Sequence, residues 1–526
     1  MSSAPTGNLA SLAAAVLQPG FVGTTPPPWV LRWLGDGLGS VVLFARNIVD
    51  LDQVAALTAA LRTERPDVVV AIDEEAGDVT RIESGRGSSR PGNFALGAVD
   101  DPELTAEVAR DLGRELASVG VTLDYAPDAD VNSNPANPVI GVRAFGADPA
   151  LVARHTAAWV RGLQSGGVAA CAKHFPGHGD TRVDSHHDLP RIGGSREQLD
   201  AAELVPFRAA VAAGVQAVMT GHLLVPALDA QLPATLSPRI LGGLLREELG
   251  FSGVIVTDAV EMRAVADRYG FAGAAVRALA AGADAICVGG ERADEDAARE
   301  LRDAIVAAVV AGELPEQRLA EAAKRVGQLA AWTVAARAGT PSRPTAAPDG
   351  SPIGLAAARR AVRVTTATAD AALPLAGAPH VIEFEPPRNI AIGAETPWGI
   401  AAPLAALRPG TTAVRLGAGD LPAADDVGAT GVVAGAVAAA AGRPLVLVVR
   451  DLHRHDWMRA AVARALAARP DAVVVELGVP ALVTGTVHIA THGATRAGAL
   501  AAAELLVGTG RVTATPLAGV AEPVVG

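Results

Sequence analysis

The chain has 526 residues, half of them hydrophobic but only 3% aromatic, and a formal net charge of −12 at pH 7. At roughly 150 residues per domain, with barrels running to about 250 or more, this length predicts two domains, one of them large. The acidic balance disfavours a nucleic acid or an anionic membrane as partner, because both are bound through basic faces that replace counterions, and a small or uncharged substrate fits better.

Eight apolar runs of strand length follow one another, separated by Ala-, Leu- and Arg-rich helical stretches. They are GFVGT (20–24), SVVLFARN (40–47), VVVAIDEE (68–75), VTLDYAPDADV (121–131), AACAKHFPGH (169–178), QAVMTGHL (216–223), GVIVTDAV (253–260) and ADAICVGG (283–290). Strands this uniformly apolar are buried on both faces, as in a parallel sheet under covering helices, and eight of them predict a (β/α)8 TIM-type barrel. Most of the runs end in polar or charged residues: Arg46 and Asn47, Asp73 to Glu75, Asp128 and Asp130, Lys173 and His174, His222, Asp258, and Glu291 just past the last run. In a barrel these ends converge on the C-terminal mouth, where active sites are built.

The segment AGTPSRPTAAPDGSP, residues 338–352, carries four prolines among small polar residues and reads as a linker. It divides a barrel domain at 1–337 from a smaller domain at 353–526. In the latter, HVIEFEP, TTAVRLG, PLVLVVRD and DAVVVELG alternate with helical segments, predicting a doubly wound α/β sandwich. That domain has no GxGxxG after its first strand, so no dinucleotide cofactor is expected. Cys171 and Cys287 lie inside apolar runs and read as buried reduced thiols, pointing to the cytoplasm. The N-terminus has no basic residue ahead of its short apolar stretch, and we expect neither a signal peptide nor a membrane span.

The stretch KHFPGHGDTRVDSHHDLP, Lys173 to Pro190, concentrates four of the eleven histidines, together with one of only two lysines in a chain that otherwise uses arginine. A metal site formed by His174, His178 and the later acids and histidines is disfavoured, because Pro176 and two glycines prevent His174 and His178 from sharing a helical face. Acid/base equipment fits better: Asp184 and His186 lie two apart, so the carboxylate can fix the imidazole's tautomer and raise its basicity. The nucleophile candidate is Asp258, a single carboxylate delivered to the mouth by a strand-length run. A carboxylate nucleophile with a separate proton donor is the equipment of a retaining glycosidase.

These motifs resemble the β-N-acetylglucosaminidase branch of glycoside hydrolase family 3. The resemblance extends through GSVVLFARNI, AIDEEAGDVTRI, NPANPVIGVRAFGADP, MTGHLLVPALD and ATLSPRILGGLLREELG, in order, over nearly all of the first domain. It implies Asp258 as nucleophile, His186 as general acid/base and Asp184 as its partner. It further implies Asp73, Arg81, Arg143, Lys173 and His174 as the residues that hold an N-acetylglucosamine ring. We assign His178, Asp180, His187 and Asp188 to shaping the loop, ahead of contact with a leaving group. No cofactor or metal is implied. One departure stands in AIDEEAGDVTRI, where the family pattern is nearer DxEGGRVxR: Ala76 replaces a glycine and Asp78 an arginine, a lost positive charge that could alter preference for anionic aglycones such as a muramyl acid.

The expected activity is removal of terminal β-linked N-acetylglucosamine from peptidoglycan turnover fragments in the cytoplasm. The alternative within the fold is a β-N-acetylglucosaminide phosphorylase that passes the glycosyl ester to phosphate instead of water. A non-catalytic sugar-binding module is the reading from another class, and the intact set of Asp258, Asp184 and His186 argues against it. An aldolase built on Lys173 is weaker still, because the adjoining sugar-site residues account for that lysine.

Overall fold

The computed structural model describes residues 6–181, 189–338, 350–367, 373–387, 389, 391–393, 395–421, 427–510 and 514–516. Its contacts divide the chain into two compact units. The first comprises residues 1–75, 79–84 and 100–349, and the second 76–78, 85–99 and 350–526. Two short segments of the N-terminal half thus cluster with the C-terminal sheet, although they lie inside the region predicted as barrel. Most of the predicted linker, residues 339–349, lies outside the described residues.

The first unit carries eight strands: β1 (Leu17–Pro19), β2 (Ser40–Leu43), β3 (Val69–Ile72), β4 (Leu123–Asp124), β5 (Ala169–Phe175), β6 (Ala217–Thr220), β7 (Val254–Thr257) and β8 (Ile286–Val288). Strands β2 to β7 pair in sequence order, all parallel, and β8 pairs parallel with β1. The Thr257 N–H donates to the Ala285 carbonyl (3.0 Å) between β7 and β8, and Ser40 Oγ donates to the Leu17 carbonyl (3.2 Å) between β2 and β1, which closes the ring. Every residue of these strands is buried, as their unbroken apolar sequences require.

Seven strands fall within the predicted runs, but the first does not. GFVGT lies just beyond β1, in the loop that leaves it. Pro19, a strand-breaking signal in sequence, is tolerated as the last residue of the ladder, where its missing N–H costs little, and the Gly20 N–H bonds the Val288 carbonyl at 2.7 Å.

The helices between strands start where the sequence marks them. Asp101 and Asp148 cap the helices Pro102–Ser118 and Pro149–Ser165 by accepting the N–H groups of Leu104 and Leu151, each with proline at the first helical position, a capping contribution of about 1 kcal/mol apiece. Those two helices pack closely because a Cβ at Gly162 would run into the Ala106 carbonyl.

In the second unit, β9 (Arg363–Thr366), β10 (His380–Glu385), β11 (Thr412–Gly417), β12 (Leu445–Val449), β13 (Val473–Glu476), β14 (Val487–Ala490) and β15 (Ala514–Pro516) form one sheet in the order β11-β10-β12-β13-β14-β9-β15. The pairs from β11 through β14 are parallel and β9 is antiparallel to β14. Alternation along β12 serves both faces. Val446 and Val448 pack in the core that holds the helices Pro352–Ala361 and Arg496–Val507, whereas Leu445, Leu447 and Val449 pack in the core that holds Asp456–Ala468. Helices on both faces make this a sandwich around a mostly parallel sheet.

Candidate active site

The apolar half of each barrel strand ends where its polar residues begin, so those residues meet at the C-terminal mouth. Strand β5 contributes two in succession, Lys173 and His174. Alternation would send adjacent side chains to opposite faces, but the register of β5 against β6 shifts between Ala172 and Phe175, a bulge that re-aims this pair. The opposite edge is held by main-chain bonds: Lys173 N–H to the Pro127 carbonyl (3.1 Å) and Ala129 N–H to the Lys173 carbonyl (2.6 Å).

Around Lys173 the charges alternate in sign. Its ammonium bonds Asp73 and lies 2.6 Å from Glu75 Oε1. Asp73 Oδ2 accepts from Arg81 (2.8 Å), and Glu75 accepts bidentately from Arg143 Nε and Nη2 at 2.9 and 2.7 Å. Arg143 Nη2 stands 3.4 Å from His174 Nε2. Burial would raise the Asp73 and Glu75 carboxyls, but the facing cations Lys173, Arg81 and Arg143 hold both below their ordinary values. Burial of His174, reinforced by Arg143 and Lys173, pushes its imidazole down to about 4, so it is neutral at pH 7. The five residues expected to hold a sugar ring are therefore joined, through Glu75, into one network that is buried except at Asp73 and Arg81.

Glu74, between Asp73 and Glu75, turns the other way. Its Oε2 accepts the N–H groups of Arg81 (2.7 Å) and Ile82 (2.9 Å), fixing the turn from which the Arg81 side chain reaches Asp73, and burial raises its carboxyl to about 7. Asp258 follows β7. Its N–H donates to the Thr220 carbonyl (3.2 Å) and its Oδ1 accepts the Ala259 N–H (2.8 Å), while His222 Nε2 lies 3.0 Å from the Ala259 carbonyl. The carboxylate is half-buried, oriented by main chain, and near enough for its charge to act on His174.

Asp184 and His186 lie outside the described residues, as do His187 and Asp188. The base of their loop is described. His178 is buried with Nδ1 2.8 Å from Thr181 Oγ1, Asn137 Nδ2 donates to the carbonyls of His178 (2.9 Å) and Gly179 (3.0 Å), and a Cβ at Gly179 would collide with the Val131 carbonyl. Other polar strand ends have structural work: Asn47 Nδ2 donates to the carbonyls of Phe21 and Gly23, and Arg46 binds the Phe21 and Gly290 carbonyls.

Sequence reasoning placed Glu75, Asp128 and Asp130 among the polar strand ends at the mouth but gave them no role in the site. Asp128, Asp130 and His174 bring atoms capable of binding a metal within 4.8 Å of one another. Those atoms already have partners within the protein, with Arg143 Nε 3.8 Å from Asp128 Oδ2 and His174 Nδ1 2.8 Å from Asp130 Oδ2. Asp78, the departure noted in the sequence, is buried in the second unit. Its carboxylate pairs with Arg450 Nη2 at 2.6 Å and accepts the Ala494 N–H at 2.8 Å, so its charge is matched locally. Both cysteines are free and buried, and no helix among the described residues is long and apolar enough to cross a membrane.

The family model for the glycosyl hydrolase family 3 N-terminal domain matches residues 33–329, more than half of the chain. The chain belongs to glycosyl hydrolase family 3. Among relatives in this family, beta-hexosaminidase A of Pseudoalteromonas piscicida is 38% identical over 283 residues, which are 50% of this chain and 47% of that protein. The chain thus spans about half the length of that relative. The beta-hexosaminidase of Stenotrophomonas maltophilia strain K279a is 38% identical over 276 residues, 51% of this chain and 82% of that one. A solved family 3 β-N-acetylglucosaminidase from Paenibacillus sp. str. FPU-7 superposes with a TM-score of 0.85 at 33% identity, covering 96% of this chain and 98% of that one. The match over both units agrees with the chain's barrel-plus-sandwich architecture.

Proposed function

We propose that the chain is a retaining exo-β-N-acetylglucosaminidase. The observation that carries this reading is the network of Asp73, Arg81, Glu75, Lys173, Arg143 and His174 at the barrel mouth, with Asp258 within electrostatic reach. Such a cluster offers rigid donors and acceptors in alternation, the pattern a polyhydroxylated ring satisfies, and its internal ion pairs hold the side chains in place before substrate arrives. The likeness to a β-N-acetylglucosaminidase over both units supports the choice of sugar.

In this mechanism an Asp258 carboxylate oxygen attacks the anomeric carbon while His186, oriented by Asp184, protonates the departing glycosidic oxygen. The resulting glycosyl ester is opened by water, whose proton His186 takes, and Asp258 is regenerated with net retention. We place the enzyme in the cytoplasm, acting on peptidoglycan turnover fragments. The decisive assay is release of a chromophore from an aryl β-N-acetylglucosaminide, combined with mass spectrometry after quenching with a 5-fluoro glycosyl fluoride. A glycosyl adduct on the peptide that contains Asp258 is the expected result. An adduct elsewhere, or none with full turnover, refutes the assigned nucleophile.

A further inference from the structure

Asp130 is fully buried behind the site and has so far no part in the mechanism. Its Oδ1 accepts two main-chain N–H groups, from His174 (3.2 Å) and His178 (2.7 Å), and its Oδ2 lies 2.8 Å from His174 Nδ1. Its own N–H donates to Asp128 Oδ1 at 3.0 Å. Hydrogen bonds from fixed donors favour the ionised form of a carboxyl. Burial raises both acids, but Asp130 accepts the two main-chain N–H groups and faces His174 Nδ1, whereas Asp128 accepts the N–H of Asp130, so the bonds favour the charge on Asp130. Asp130 therefore presents an acceptor to His174, and Nδ1 must carry the hydrogen.

A second observation, at the opposite edge of the ring, leads to the same place. Arg143 Nη2 lies 3.4 Å from His174 Nε2. A guanidinium only donates, so the nitrogen facing it presents a lone pair. Among the described residues, the other charged or titratable groups around the imidazole include Asp128 (3.9 Å from Nδ1), Lys173, Asp258 and His178, whose ring centre is 5.9 Å away. Burial and the two cations together hold the ring neutral at pH 7.

We propose that Asp130 is a positioning residue that fixes His174 as the neutral Nδ1–H tautomer and so makes its Nε2 a hydrogen-bond acceptor in the sugar site. A substrate group that meets His174 Nε2, sharing it with the long Arg143 contact, must then donate, which means a free hydroxyl or the acetamido N–H. Where it is a hydroxyl, deoxy, fluoro or O-methyl replacement at that position removes the bond. This deepens the proposed function in its statement about substrate, whereas the tautomer itself stands independently of any activity.

The test uses the whole chain labelled with 15N-histidine. Long-range 15N–1H correlation spectra, with His174 assigned by loss of its peaks in His174→Gln, should show a protonated Nδ1 and an unprotonated Nε2, unchanged from pH 5.5 to 8. A protonated Nε2 in the unaltered protein overturns the proposal, and an inactive protein with the expected tautomer would overturn only the proposed function. In Asp130→Asn one carboxamide position becomes a donor, which disfavours Nδ1–H. We expect KM for an aryl N-acetylglucosaminide to rise about tenfold, the worth of one lost hydrogen bond, with a smaller change in kcat. In a His174→Ala background the same substitution should change KM less than twofold. Equal effects of Asp130→Asn in both backgrounds would show a structural role only and refute the coupling. Should Asp130→Asn fail to fold, the tautomer of the unaltered protein still decides.

Discussion

Lys173 offers a direct measure of how the site's charges support one another. Replacing it by methionine keeps length and apolar stem but deletes the ammonium, leaving Asp73 and Glu75 to face each other. Removing one partner of a buried ion pair costs about 3–5 kcal/mol. The lower end applies here, because Arg81 and Arg143 remain on the two carboxylates and the Asp73 side chain is 23% exposed. At about 2–4 °C per kcal/mol for a large domain, about 3 kcal/mol lowers the unfolding midpoint of the first unit by about 6–12 °C at pH 7. The effect must also depend on pH in a defined direction. In the unaltered protein Asp73 is pushed up by burial but held well below its usual range by Lys173 and Arg81. A depressed folded value contributes stability that is present above the unfolded value near 4 and lost as pH falls through the folded value. In Lys173→Met that contribution shrinks, so the difference between the two proteins should grow as pH rises from about 2.5 to 5 and stay level above that. Differential scanning calorimetry of both proteins across this range measures it. A difference that is constant across it, or a variant as stable as the parent at pH 7.5, would refute the electrostatic account.

Four further outcomes follow. Asp258→Asn should abolish turnover while calorimetric affinity for N-acetylglucosamine stays within a few fold; retained hydrolysis would remove Asp258 from the nucleophile role. His186→Ala should lose about 10² to 10⁴ of rate on a poor leaving group and much less on an activated aryl group, and equal losses would show that His186 is not the acid. After giving up its proton His186 is neutral rather than anionic, so millimolar phosphate should approach the glycosyl ester and yield some N-acetylglucosamine 1-phosphate, detectable by product analysis. An unchanged rate with no sugar phosphate sinks that argument. Asp78→Asn strands Arg450, whose side chain is 12% exposed, and should destabilise the second unit by about 3 kcal/mol, with Arg450→Gln in the same chain restoring part of the loss in denaturant titrations.

The barrel was legible because its strands are uniformly apolar and end abruptly in charge, so both strand and strand end were visible in one dimension. Chain order alone could not tell which of Asp73, Glu74 and Glu75 face the site. Parity could have done so, since the first and third point one way and the second the other, and Glu74 does bond the Arg81 and Ile82 main chain while its neighbours meet Lys173. Strand β1 was misplaced because Pro19 argues against a strand and the more apolar GFV follows it. Asp78 and Arg450 are 372 positions apart, and nothing local marks either as the other's partner.

The membership of residues 76–78 and 85–99 in the second unit bears on how the chain comes off the ribosome. Leu96 and Phe94 lie in a helix, Asn93–Val99, whose companions, the helix Pro352–Ala361 and the ring of His492, emerge more than 250 residues later. At about 5–20 residues per second, that segment waits at least roughly ten seconds for them. Ser89 and Arg363 tell the same story, bonding Ser351 N–H and the Ala98 carbonyl across that interval. The nascent N-terminal half therefore carries an unsheltered apolar helix until translation is far into the second half, and a gene truncated at the 338–352 segment would leave it so permanently. Slower synthesis or added holdase chaperones should then raise the yield of soluble protein.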